Sequence, residues 1–214
     1  MRRAVGWGAF AALAALTVLL TACVSVTVGN EGSAHKQYQL RDAGADVPGR
    51  GEPLLDALMI QLRPGDAMAE TASMAYSPNA SEFAFYQFAT WTERPVRQLP
   101  RLLQRRLEAR GTAAAVGLIG EPLRAHWLLS VAIVTLHHDV SAPPGTARFA
   151  MTAELFDRRT RVRIARRQFE ANVPTVRGDS ASAAAAMSRA VGECFDALIP
   201  WLESELQGVP ATQR

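Results

Sequence analysis

The chain has 214 residues, 49% hydrophobic and 20% charged, with 15 Gly and 12 Pro. These values exclude collagen, coiled coil and wholesale disorder, and favour one domain, two at most. A body of this size buries about 70% of its unfolded surface, enough for a core without disulfide staples. Formal charge is +3, and of the 23 basic residues only Lys36 is lysine. Without residues 1–22, which hold two arginines and no acid, 21 basic residues face 20 acidic ones. That balance makes no case for nucleic acid as a partner.

Met1-Arg2-Arg3 is a short positive start, and the 17 residues Ala4–Leu20 after it carry no charge. The run is close to the apolar region of a signal peptide and marginal for a membrane span. Leu20-Thr21-Ala22-Cys23 decides between them, because Leu, two small residues and Cys at the end of such a run have the form of a bacterial lipobox. Small residues let a peptidase reach the bond before Cys23, whose sulfur is the nucleophile that takes diacylglycerol. The expectation is a lipoprotein signal over 1–22, lipidation of Cys23 with several acyl chains such as palmitate, and a mature chain of 192 residues. The competing reading is an uncleaved N-terminal anchor with an incidental cysteine. Several acyl chains make a stable anchor where one is marginal. Val24 is not the Asp that keeps many such lipoproteins at the inner membrane, so the periplasmic face of the outer membrane is expected. Cys194 is then left without an intramolecular partner and reads as a small buried hydrophobe.

Residues 23–37 read as lipidated N-terminus and linker, 38–208 as one domain, and 209–214 as a tail. A short strand is expected around Tyr38-Gln39-Leu40, loop over 41–53, and an apolar segment from Leu54 to Leu62 that Pro64-Gly65 stops. Thr71–Tyr76 and Glu82–Phe88 flank the turn signal Ser77-Pro78-Asn79 and form a hairpin. A helix starts near Thr92 with Pro95 in its first turn. It carries Val96, Leu99, Leu103 and Leu107 on one stripe, Arg97, Arg101 and Arg105 opposite, Pro100 inside, and Gly111 at its end. Ala113–Ile119 is a short strand. Trp127–Leu136 is apolar on both faces, as a central strand should be. Phe149, Met151, Ala153 and Leu155 alternate along the next strand. The return strand Val162–Val173 changes apolar phase between Ile164 and Phe169, which calls for a bulge. Asp179 or Ser180 caps a last helix with Met187, Ala190, Val191, Cys194, Leu198 and Leu202 on one stripe, and Pro200 should interrupt it. This order makes an α/β fold, a mixed sheet packed by two helices.

Reaction chemistry is scarce. His137-His138-Asp139 is the one metal-like cluster, but adjacent strand residues point to opposite faces, so solvation at a strand end is the better account. Gly178-Asp179-Ser180-Ala181-Ser182 lacks one glycine of a nucleophile elbow, and Ser180 reads as a helix cap. No phosphate loop, dinucleotide fingerprint or other cofactor signature occurs. The densest charge run holds Arg158, Arg159, Arg161, Arg163, Arg166 and Arg167. It reads as a solvated hairpin tip or, through Arg159, Arg161 and Arg163, as a contact for lipid phosphates or an acidic partner. Phe83-Ala84-Phe85-Tyr86-Gln87-Phe88 is aromatic on both faces; the expected place for it is the core, the other reading a partner-binding edge.

Met74-Ala75-Tyr76-Ser77-Pro78-Asn79-Ala80-Ser81-Glu82-Phe83, followed by Phe88-Ala89-Thr90-Trp91 and Pro95, resembles the ABC-type transport auxiliary lipoproteins, the PqiC-like components of mammalian-cell-entry (MCE) transport systems. The lipobox at Cys23, Tyr38-x-Leu40, the Leu128–Asp139 strand and the hairpin from Asp157 to Phe169 fit the same pattern. The resemblance implies a periplasm-facing lipoprotein that docks with an MCE-domain protein and an ABC permease and ATPase. Such systems move phospholipids or other hydrophobic compounds across the envelope. It implies no enzyme activity, and leaves direct phospholipid binding and a homo-oligomer open. A general outer-membrane assembly or scaffold lipoprotein is the alternative, and a lipoprotein hydrolase a third reading.

Overall fold

The structure, a computed structural model, describes residues 34–44 and 48–208. The expected signal segment over 1–22, Cys23 and the expected tail 209–214 lie outside the described residues. Eight strands form one mixed sheet: β1 Lys36–Tyr38, β2 Leu55–Leu62, β3 Ser73–Asn79, β4 Glu82–Trp91, β5 Ala113–Leu118, β6 Trp127–Asp139, β7 Thr146–Asp157 and β8 Val162–Pro174. Two helices, α1 Pro95–Arg110 and α2 Ser180–Gly208, pack on it, so the α/β architecture expected from the element order is the one found.

β6 organises the sheet because it is longer than either neighbour on one of its edges. β2 runs parallel to its first half, with Leu58 opposite Trp127 and Leu62 opposite Val131. β3 runs parallel to its end, with Tyr76 opposite His138. Between them the chain after β2 keeps the edge occupied: Arg63 N–H donates to Val131 O at 2.8 Å and Asp66 N–H to Ile133 O at 2.9 Å. The other edge pairs antiparallel with β7, which continues into β8 as a hairpin. In β8 Ile164 is the extra residue, since Leu155 pairs with Ala165 and Phe156 with Arg163. The expected bulge is therefore present.

Phe149, Met151, Ala153 and Leu155 are fully buried beneath α2, together with Met187, Val191, Phe195 and Leu198 of that helix. A run of alanines, Ala183 to Ala186, opens α2 and lets its backbone approach the sheet closely. In α1, Leu99, Leu103 and Leu107 are buried and Arg97, Arg101 and Arg105 exposed. Pro95 takes the first helical position, where its missing N–H costs little. Gly111 closes the helix at φ 72° and donates to Leu107 O and Glu108 O at 3.0 Å. Pro100 and Pro200 do not stop their helices, so the interruption expected at Pro200 is absent. Each proline removes one backbone hydrogen bond; buried Leu99 and Leu102 beside one, and Ile199 and Leu202 beside the other, offset the loss through packing.

Ion pairs tie the helices to each other and to the loop after β1. Arg106 holds Asp42 with two bonds of 2.6 Å and Asp196 with one of 2.7 Å. Glu203, buried on α2, accepts from Arg110 at 2.9 and 3.0 Å, from Arg50 at 3.2 Å and from Thr112 at 3.3 Å. Burial pushes the Glu203 carboxyl up, but the bonds from Arg110 and the charges of Arg110 and Arg50 outweigh it and leave it below its ordinary value.

Candidate docking surface

The loop between β7 and β8 is built by Asp157. Its Oδ1 accepts the N–H of Arg159 at 2.8 Å and of Thr160 at 3.3 Å, an Asx turn that fixes the tip. Arg161 then takes φ 61°, a left-handed position uncommon for a residue with a Cβ. The three arginines singled out from the sequence do not stand alike. Arg159 and Arg161 are exposed in the tip, whereas Arg163 lies in β8 with Nη1 3.2 Å from Glu154 Oε1.

Glu154 is the residue that sequence reasoning missed. It sits buried in the middle of β7 and pairs with Arg63 Nη2 at 3.1 Å, Arg163 Nη1 at 3.2 Å and Arg166 Nε at 3.4 Å. One carboxylate among three guanidiniums leaves a local excess of two positive charges, next to the tip arginines. Its signal was an acid inside an apolar run of the strand, directly opposite Arg166 across the hairpin. A cleft beside it has Leu128 and Phe156 as apolar lining and Arg63, Arg158 and Arg161 as cationic lining.

The aromatic strand is not core. Phe83, Phe85 and Phe88 are 47%, 45% and 46% exposed, which overturns the expectation of burial. The reason lies in strand order. β4 has β3 on one side, but on the other only the three residues of β1, which pair with Ala89, Thr90 and Trp91. From Glu82 to Phe88 the outer edge of β4 has no strand partner among the described residues. Ala89 and Trp91, where β1 does pair, are buried.

His137 and His138 are also placed otherwise than expected, since both are buried. His138 Nδ1 is 2.7 Å from Tyr86 Oη, and its Nε2 is 3.4 Å from Thr175 Oγ1. His137 Nδ1 is 2.9 Å from Thr135 Oγ1, and its ring meets Phe83 edge-on at 5.1 Å. Strand-end solvation fails because the loops around Pro144 and Thr175 close over the end of β6: Thr175 N–H donates to Gly145 O, and a Cβ at Gly145 would strike His138 Nε2. Burial, the largest influence, pushes both imidazoles below their ordinary value, against the charge of Asp139. Among the described residues no three His, Cys, Asp or Glu side chains gather as a metal site.

Asp179 caps α2, its Oδ1 accepting Ser182 N–H at 2.7 Å. Ser180 Oγ, the elbow-like serine, lies 3.3 Å from Tyr38 Oη. Cys194 is buried as expected, and burial pushes its thiol up to about 12. No helix among the described residues is long and apolar enough to cross a membrane.

The arrangement is that of a mixed sheet packed by two helices, with aromatic side chains exposed on β4 and arginines exposed at the β7–β8 tip. Comparison with known proteins gives its class. The sequence model of the ABC-type transport auxiliary lipoprotein component matches residues 38–198. The chain therefore belongs to the ABC-type transport auxiliary lipoprotein family. Among solved structures it is similar to a protein from Xanthomonas campestris, with a TM-score of 0.71 and 21% identity over 80% of this chain and 97% of that one. An uncharacterized protein aligns with a TM-score of 0.60 and 12% identity over 79% of this chain and 99% of that one. At these identities the likeness is one of fold. No curated protein matches the sequence.

Proposed function

We propose that this chain is a docking subunit of an envelope transport system, held by acyl chains on Cys23 at the periplasmic face of the outer membrane. In this reading it joins an MCE-domain protein and an ABC permease and ATPase that move phospholipids or other hydrophobic compounds, and it works without turnover. The observation that carries the reading is the family match across nearly the whole folded domain. The arginine hairpin supports it, because exposed cations in excess of their carboxylates attract acidic partners or phosphates while contributing little to folding.

Within the hairpin, Arg159 and Arg161 make the contact, and Arg163 supports it from the Glu154 cluster. The test is co-purification from membranes. Wild-type protein should bring down an MCE-domain protein, and Arg159→Glu with Arg161→Glu several-fold less at low salt. Equal capture at two salt concentrations moves the docking face elsewhere. Mass spectrometry of the membrane-bound protein should show acylated Cys23 as the first residue; an unmodified thiol there, with residues 1–22 retained, rejects the anchor.

A further inference from the structure

We propose that the aromatic edge of β4 is a membrane-contact surface, with Phe83, Phe85 and Phe88 resting in the interfacial layer of the bilayer that holds the Cys23 acyl chains. The inference rests on the acylation of Cys23 proposed above. These three are the largest exposed apolar side chains of the described surface, and they fall within six residues. Single exposed apolar residues need no explanation, but a cluster marks a contact.

Two observations choose the bilayer as occupant. The first is where the tether ends. The chain enters the fold through β1, and Lys36 lies opposite Ala89, the residue after Phe88. Twelve residues lie between Cys23 and Lys36, and the thirteen steps from one to the other span at most about 45 Å. The acyl-bearing residue is thus tied to the strand that carries the phenylalanines, and anchoring concentrates lipid beside this edge without any further contact. Lys36, exposed at the same place, adds a cation suited to lipid phosphates.

The second observation is the irregular backbone. β4 spends five steps from Phe85 to Thr90 while β3 spends two from Ala75 to Ser73. Such a bulge breaks the two-residue period that an added strand needs to pair along the edge. The edge is therefore a poor template for a strand from a partner or a second copy. What it offers is aromatic area, and phenyl rings beside a cation suit an interfacial layer.

The test uses the acylated lipoprotein reconstituted in vesicles of phosphatidylethanolamine and phosphatidylglycerol. Phe85→Cys supplies one reactive thiol, since Cys23 is blocked and Cys194 is 1% exposed. An environment-sensitive fluorophore there is compared with one at Ile164→Cys on β8, 41% exposed. Nitroxide-bearing lipids should quench the label at 85 several-fold more than at 164, with Phe83→Cys and Phe88→Cys behaving like 85. Equal quenching in protein that floats with the vesicles overturns the inference and leaves the anchor standing. Failure to float, with unmodified Cys23 by mass, overturns the anchor and the inference with it. A label at 85 that is shielded in proportion to protein density, yet blind to nitroxide lipid, assigns the edge to a protein neighbour and also overturns it.

Discussion

Tyr86 Oη and His138 Nδ1 are 2.7 Å apart, and this bond joins β4 to the end of β6 across a sheet in which β3 lies between them. Thr175 Oγ1 donates to Pro144 O at 2.8 Å, so it meets His138 Nε2 as an acceptor. That leaves Nδ1 to accept from the tyrosine, and the imidazole is neutral. Burial pushes the Tyr86 hydroxyl up to about 12, so it stays a donor. The aromatic edge thus has a polar clamp on its inner side.

Removing that donor should be costly. Tyr86→Phe leaves a buried ring nitrogen without a partner, worth about 1–3 kcal/mol. Urea titration should show the loss as a lower midpoint with an unchanged slope. A midpoint equal to wild type would mean that the clamp contributes nothing.

The same site sets a pH dependence. Both His137 and His138 are held below their ordinary value in the folded state, chiefly by burial. Once pH falls below about 6.5, the unfolded chain binds more protons than the folded one, so stability declines with acidification down to the folded values. Above that pH these two residues contribute no slope. Melting temperature should hold steady between about pH 7.5 and 8.5 and drop by about pH 5.5. His138→Gln should flatten part of the drop; a melting temperature that rises on acidification contradicts the assignment.

Phe85 and Phe149 separate surface from core. Phe149 is fully buried under α2, and Phe149→Ala should cost about 3–5 kcal/mol. Phe85 is half exposed on an edge without a strand partner among the described residues, and Phe85→Ser should cost under about 1 kcal/mol. Thermal denaturation of the two variants side by side decides. A Phe85→Ser loss as large as that of Phe149→Ala would return the strand to the core.

That contrast also shows what could be read in advance. The alternation Phe149, Met151, Ala153, Leu155 and the phase change at Ile164 are local periodicities, and the β7–β8 hairpin follows them. The stripe from Met187 to Leu202 likewise reports its own helical face. The fate of β4 depends on something no local pattern carries, the length of a neighbouring strand that lies about fifty residues away in the chain. Among the described residues β1 begins only at Lys36, opposite Ala89, and the aromatic run before Ala89 has no strand partner on that side. Glu154 was hidden for a related reason: its partners Arg63, Arg163 and Arg166 converge only when β2, β7 and β8 share a sheet. The histidines were misjudged because burial at the end of β6 comes from the chain at Pro144 and Thr175 closing over it.

The arginine hairpin yields the sharpest division between folding and binding. Arg161 holds φ 61°, where a Cβ costs about 1–2 kcal/mol. Arg161→Gly removes that strain and gives back about 0.5–1 kcal/mol through the freer unfolded chain, so the variant should be as stable as wild type or slightly more so. Arg163→Glu should act the other way. It replaces one of three cations around the buried Glu154 with a second carboxylate, and the repulsion should cost about 1 kcal/mol. Arg159 has its backbone N–H on Asp157 and its side chain exposed, so Arg159→Glu should leave the melting temperature nearly unchanged. Capture of the acidic partner or of anionic vesicles should rank differently. Arg161→Gly and Arg159→Glu should each weaken it at low salt and less so at high salt, because the attraction is screened. If capture follows stability instead, falling only in Arg163→Glu, the tip is a solvated turn and binding belongs to the ordered strand behind it.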